Sequence, residues 1–140
     1  MAVTWDSGAL ETKVRQACVR VVAKTGGVIL EEGSRLIASP PKTGRIYERD
    51  NPRRIHQASA PGEAPATDLG KLLASGEVIL EPQTPDRISA RVNWGAEYAL
   101  DLELGTKKIE PRPFARPALA HAEPGFVAEA KAEIEGAVRA

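Results

Sequence analysis

The sequence predicts an α+β fold in which long N-terminal and C-terminal amphipathic helices pack on a small, mostly antiparallel sheet, with an extended Pro/Gly-rich loop between them. Three observations carry that expectation. All 11 prolines lie between Pro40 and Pro124, so both ends are free of the residue that most disrupts helix interiors. The middle of the chain sets short alternating segments between clusters of turn formers, as strands require. At 140 residues the chain is long enough for one domain and short for two. Only six residues are aromatic, two each of Phe, Trp and Tyr. The core therefore leans on Ala, Val, Leu and Ile, and is thin enough to invite help from neighbouring subunits.

Residues 1–39 form an N-terminal helical region. From Leu10, the positions Val14, Ala17, Cys18, Val21, Val28 and Ile29 fall on one face, with Lys13, Arg15, Arg20 and Lys24 mostly on the other. Asp6 or Ser7 supplies the N-cap. Gly26-Gly27 is expected to loosen the helix or end it before a second segment over Val28–Ala38, and Pro40-Pro41 stops it. Residues 40–66 form an extended arm or loop. Within it, Thr43–Arg49 and Arg53–Ala58 flank the turn formers Asp50-Asn51-Pro52, which predicts a short hairpin; Ser59–Thr67, rich in Pro and Gly, reads as an irregular loop. Residues 67–112 hold the sheet and a short helix. Asp68–Leu73 offers one helical turn, and Glu77–Glu81 and Arg87–Asn93 read as a hairpin around Pro82–Asp86, with Ile88, Ala90 and Val92 alternating with polar neighbours. Residues 113–140 give the C-terminal helix, where Phe126, Ala130, Ile134, Ala137 and Val138 repeat at helical spacing and Glu123 places an acid near the start.

Charge and chemistry exclude several classes. Nineteen basic residues balance 19 acidic ones, whereas a dedicated nucleic-acid or membrane-surface protein usually carries a basic excess. The longest run without a charged side chain is the eight residues Ile55–Gly62, against about 20 apolar residues for a bilayer span. Met1–Asp6 reads as neither a secretory signal nor a transit peptide, so the chain is expected to be soluble and to stay where it is made. Cys18, the single cysteine, lacks a disulfide partner and a CxxC neighbour, and reads as a small buried hydrophobe on a helix. His56 and His121 lack zinc spacing, and His56 reads as a polar group on a strand or loop. Ser59, His56 and Asp68 are the residue types of a hydrolase triad, but without a nucleophile-elbow motif. The paired acids Asp101 and Glu103 read as a solvated face, and Gly26-Gly27 lacks the Lys-Ser/Thr of a phosphate loop. No catalytic residue, metal site or cofactor is predicted, and the chain reads as a non-enzyme.

Neutrality is a sum of local excesses. Lys42, Arg45, Arg49, Arg53 and Arg54 outweigh Glu48 and Asp50 over residues 42–56. Glu97, Asp101 and Glu103 follow without a cation, and Lys107, Lys108, Arg112 and Arg116 then outweigh Glu110. Opposite patches of this kind fit assembly against neighbours better than bulk affinity for nucleic acid.

Two stretches hold a recognisable pattern: His56–Leu72 (HQASAPGEAPATDLGKL) and Asn93–Leu119 (NWGAEYALDLELGTKKIEPRPFARPAL). The first has a proline-glycine loop and then Asp68-Leu69-Gly70-Lys71-Leu72. The second runs Tyr98-Ala99, Glu103-Leu104-Gly105-Thr106, Arg112-Pro113-Phe114 and Pro117-Ala118-Leu119. In order and spacing they resemble the tail-completion, or tail-terminator, family of long-tailed bacteriophages, prophages and gene transfer agents. That family typically reads Asp-Thr-Gly-x-Leu in the first stretch, and Leu69 here replaces the Thr. Each motif alone is common in loops; order and spacing make the match specific. On the residues themselves, Tyr98, Leu102 and Phe114 are candidate anchors of one apolar cluster, and Gly105 permits a positive φ where a short helix ends. Pro111 and Pro113 fix an extended approach, and Pro117 suits the first turn of the last helix. Arg112 and Glu103 are expected to pair across the bend, within a subunit or across an interface.

The resemblance implies a structural virion protein, made in the host cytoplasm and placed at the head-to-tail joint. There it terminates the tail tube as a subunit of a hexameric ring. Its implied partners are copies of itself, the tail-tube protein, the head connector or stopper protein, and DNA that passes without sequence readout; no membrane is implied. Head-to-tail contacts around a closed ring need one surface of each subunit to match a different surface of the next. On this reading Asp68, Gly70, Leu72, Tyr98, Glu103, Gly105, Thr106, Arg112, Pro113 and Phe114 specify the fold or an interface. The arm carrying Lys42, Arg45, Arg49, Arg53 and Arg54, read as lacking an apolar face, lines the lumen or faces a partner and orders when one docks. The alternatives are a tail-tube or head-stopper subunit, a small nucleic-acid-binding protein using the arm at 42–56, and an enzyme using His56 with Ser59 or Asp68.

Overall fold

Asp6 caps the longest element of the fold. Its Oδ1 accepts from the backbone N–H of Gly8 at 3.0 Å and of Ala9 at 3.2 Å, satisfying donors that a helix start leaves free. From this cap α1 runs unbroken over Ser7–Ala38, in a computed structural model that describes residues 6–39 and 42–140. Pro40-Pro41, expected to stop the helix, lies outside the described residues. Within them, the N–H and hydroxyl of Ser39 both donate to the Arg35 carbonyl, and Lys42 Nζ donates to the Leu36 carbonyl at 2.8 Å.

The break expected at Gly26-Gly27 does not occur. A Cβ on Gly26 would lie 2.7 Å from Val78 Cγ1, and one on Gly33 would lie 2.5 Å from Trp94 Cζ2. Both glycines let a strand approach the helix, and that contact outweighs the roughly 1 kcal/mol that each glycine costs a helix interior.

The approaching strands are β3 (Gly76–Leu80) and β4 (Ala90–Trp94), paired antiparallel from Gly76↔Trp94 to Leu80↔Ala90. Their turn is tied by a Thr84↔Arg87 bridge and by Ser89 Oγ donating to Glu81 Oε2 at 2.9 Å. The alternation read in the sequence turns Val92 and Trp94 toward the core. There Trp94 meets Phe114 edge to face, with centroids 5.1 Å apart, beside buried Ile37, Leu72, Ala96 and Ala99.

The other hairpin, β1 (Ile46–Asp50) and β2 (Arg53–Gln57), pairs from Ile46↔Gln57 to Asp50↔Arg53 around the predicted turn. It does not join β3–β4, so the expected small sheet is two separate two-stranded ribbons. The β3–β4 ribbon packs on α1, while every residue of β1 is exposed. Residues 42–66 hold the expected hairpin and, after it, the irregular loop.

Two short helices follow, α2 (Lys71–Ala74) and α3 (Ala99–Leu104), and then α4 over Ala115–Arg139. α4 starts well before Glu123, which lies in mid-helix, and continues through Pro124. It lies antiparallel on α1, with Arg20 paired to Glu133 at 3.0 Å and Lys24 paired to Glu129. Its buried residues are Ala118 and Ala122, whose small side chains permit a close approach. Phe126 and Val138, on the face marked by helical spacing, remain 39% and 57% exposed.

Candidate assembly site

Gly105 ends α3 at φ 75°, the left-handed backbone expected of it. Thr106 then forms a tight turn: its Oγ1 accepts from the N–H of Lys108 and of Ile109, each at 3.2 Å, and its own N–H donates to the Ile109 carbonyl at 2.7 Å. The turn brings the chain back on itself, so that Arg112 N–H donates to the Leu102 carbonyl at 2.7 Å. This return sets the Glu103 carboxylate on the N-terminus of α4. It accepts from the N–H of Phe114, Ala115 and Arg116 at 2.8, 2.9 and 3.0 Å, and from Arg116 Nε at 3.3 Å. The acid read as part of a solvated face is 8% exposed. Burial alone would push its pKa up, but the three backbone N–H groups and Arg116 outweigh that and hold it below its usual 4.5. A carboxylate here also complements the positive end of the helix dipole.

The pairing expected between Arg112 and Glu103 is replaced by two others. Glu103 spends its oxygens on the first turn of α4 and takes Arg116 as its cation, while Arg112 Nε donates to the Ser59 carbonyl at 3.2 Å. That contact, with Gly62 N–H donating to the Pro111 carbonyl at 3.0 Å, joins the two motif stretches. Gly70, at φ 73°, leads into α2 and so delivers Leu72 to the core against Trp94 and Phe114. Phe114 is 2% exposed, Leu102 packs at the edge of the same cluster and Pro113 is half-buried. Tyr98 does not join them: it precedes α3 and is 40% exposed, and Trp94 takes the aromatic place beside Phe114.

Glu63, which sequence reasoning passed over, ties the base of the β1–β2 hairpin. It accepts from the Thr43 N–H at 3.0 Å, the Thr43 hydroxyl and the Ala60 N–H at 2.8 Å. Led by the Thr43 hydroxyl bond, these contacts lower its pKa to about 2. The available signal was an acid inside a proline loop, where backbone donors lack strand partners.

The hairpin register sorts the basic segment into two faces. Tyr47 pairs with His56 and Arg49 with Arg54, so these share one face, and Arg45 and Arg49 lie over the Tyr47 ring at 5.5 and 5.8 Å. Asp68 closes this face from the loop, accepting from Arg54 Nε at 2.8 Å with Arg49 Nε at 3.8 Å; the Arg54 bond holds its carboxyl below 3.8. The opposite face carries Ile46, Glu48, Asp50, Arg53, Ile55 and Gln57. Lys42 belongs to neither face: it is half-buried against the end of α1, and burial lowers its pKa from 10.5. The expectation of an arm without an apolar face is also overturned, since Ile46 and Ile55 share a face and are 60% and 73% exposed.

A second apolar feature lies at the other end of α1. Val14, Cys18 and Val21 of α1 face Phe126, Ala130 and Ile134 of α4 across an open groove of about 580 Å³, closed at one side by residues 85–88. The repeat at Phe126, Ala130 and Ile134 lines this groove, with Ala130 and Ile134 half-buried. Cys18 is half-buried there, not fully buried.

The residues that suggested chemistry do not converge. Ser59 is buried at 4% exposure, His56 Nδ1 lies 3.8 Å from Asp68 Oδ1, and no hydrogen bond joins Ser59 to His56 among the described residues. His121 and Asp101 are exposed on α4 and α3. Among the described residues no group of three or more His, Cys, Asp or Glu side chains is placed to hold a metal, and no helix is long and apolar enough to cross a membrane. Comparison of the chain with family models, with curated proteins and with solved structures finds no match.

Proposed function

We propose that the chain is a structural virion subunit that completes the tail and joins it to the head connector as one member of an oligomeric ring. The observation that carries this reading is surface. The chain exposes 9791 Å², against about 7,000 Å² for a compact monomer of its 15.0 kDa mass. A ring subunit meets each neighbour through about 800 Å² of surface, and exposed apolar side chains mark where such patches form. Apolar side chains on that surface, including Ile46, Ile55, Leu100, Leu104 and Val127, favour contact with protein.

The motif order supports this ring over others of similar size. The family-like residues Glu103, Gly105, Thr106, Arg112 and Phe114 build one bend that caps α4, and Gly70 and Leu72 dock onto it. They tie the start of α4 to α3 and to the core cluster. The mechanism is assembly: copies close a ring on the tail tube, one face meets the connector, and DNA passes through the lumen. Removing the chain from a particle-producing strain is expected to give heads and uncompleted tails that stay apart, rejoined when the chain is supplied. Normally joined particles without it contradict the proposal. A tail-tube or head-stopper role is separated from this one by position in the particle.

One observation favours a second reading, a small nucleic-acid-binding protein: Arg45, Arg49 and Arg54 share one face of the hairpin with Tyr47. A steep fall of DNA affinity with salt supports it, and no binding at low salt removes it.

A further inference from the structure

We infer that the β1–β2 hairpin of one copy seats in the α1–α4 groove of the next, with Ile46 and Ile55 entering beside Cys18, Phe126 and Ile134. The inference rests on the ring reading and names the two surfaces that make the ring.

Both surfaces are apolar and unfilled in the single chain. Ile46 pairs with Gln57 and Ile55 with Glu48, so the two isoleucines are diagonal neighbours, about 7–8 Å apart, on one exposed face in the root half of the ribbon. The groove offers about 580 Å³ between two helices, flanked by the turn at 85–88.

The hairpin cannot fill the groove of its own chain. It stands beside Ile37, Ala38 and Ser39 at the end of α1, whereas the groove is centred near Cys18. At about 1.5 Å per residue those places are roughly 30 Å apart along one rigid helix. Strands of five residues reach only about 17 Å. Donor and acceptor therefore sit at opposite ends of the subunit, as a heterologous contact that closes into a ring requires.

Charge agrees with the same seat. Glu48 and Asp50 flank the isoleucines on their face together with Arg53, and the groove rim carries Arg15 and Arg87 together with Glu11 and Asp86. Arg87 is 74% exposed, with its nearest acid, Glu81, at 3.9 Å, which leaves it able to meet an incoming Glu48. Both sides offer both signs, so one register matches them and a shifted one sets like charges together.

The native thiol of Cys18 provides the test, because it lines the groove and is the sole cysteine. In the full chain carrying Ile55→Cys, mild oxidation at millimolar concentration is expected to give a ladder of covalent multimers whose linked peptides join position 55 to Cys18. The ladder disappears in the Ile55→Cys, Cys18→Ser double variant. Ile55→Asp, at a side chain 73% exposed, is expected to keep its circular dichroism and lose its higher mass. Multimers by native mass without the 55–18 link overturn the seat and leave the ring reading standing. Links from 55 to 55 alone, or an unlinked monomer, also overturn the seat; the ring reading is then judged by the particle phenotype.

Discussion

Glu103 concentrates the energetics of the bend in one side chain. It satisfies three backbone donors at the start of α4 while buried, so its removal strands those groups away from water. Glu103→Ala is expected to lower unfolding stability by about 1–3 kcal/mol in denaturant titration. Arg116→Ala is expected to cost less, since that side chain is 66% exposed and screened by solvent. The acid also gives a pH signature. Its folded pKa lies below 4.5, so its contribution is complete above the unfolded value and is lost as pH falls through the folded one. Stability measured downward from pH 5 is expected to fall less steeply in Glu103→Gln than in the native chain. Little of this was legible locally. Asp101 and Glu103 look like a solvent-facing pair because the donors for Glu103 arrive only at Phe114–Arg116, after the chain has turned back through Gly105. The motif spacing marked the right residues without saying which atoms meet: Arg112 was the nearer candidate partner in the pattern, and Arg116 took the role.

At the scale of elements, the two glycines in the middle of α1 have opposite parts. A Cβ on Gly26 runs into Val78, whereas one on Gly27 meets nothing within 4 Å. Gly26→Ala is therefore expected to lower the melting temperature through overpacking, by about 1–3 kcal/mol. Gly27→Ala is expected to raise it, by about 0.5–1 kcal/mol of recovered helix propensity. Opposite expectations for adjacent residues make thermal melts of the pair decisive. α1 and the last turns of α4 were readable because proline is absent there, although α4 also runs through Pro117 and Pro124, and both hairpins were readable from the turn formers at Asp50–Pro52 and Pro82–Asp86. The continuity of α1 across Gly26-Gly27 was not, because propensity is local and the contact with β3 is tertiary. Likewise, helical spacing identifies an apolar face on α4 but not its occupant. Ala118 and Ala122 are the residues of α4 that become fully buried, and Phe126, Ala130 and Ile134 line the groove.

For the whole molecule, the thin core anticipated from six aromatic residues goes with many exposed large apolar side chains, among them Ile46, Ile55, Leu100 and Val127. Trp94 and Phe114 anchor one small cluster, and the apolar side chains of the β1–β2 ribbon and of the groove lie outside it. Ile134→Asp is expected to leave the helical signal intact while lowering the assembled mass in native mass spectrometry; unchanged mass would show that this groove takes no part in association. Nineteen charges of each sign are legible as neutral in any sequence, but their sorting onto two faces of the β1–β2 ribbon required the register. A ring at the joint is a position as well as an assembly, and cryo-electron microscopy of particles containing the chain reads both. A closed ring of copies is expected between the tail tube and the head connector. Particles whose head-to-tail joint lacks the chain, or holds it outside a ring, would contradict it.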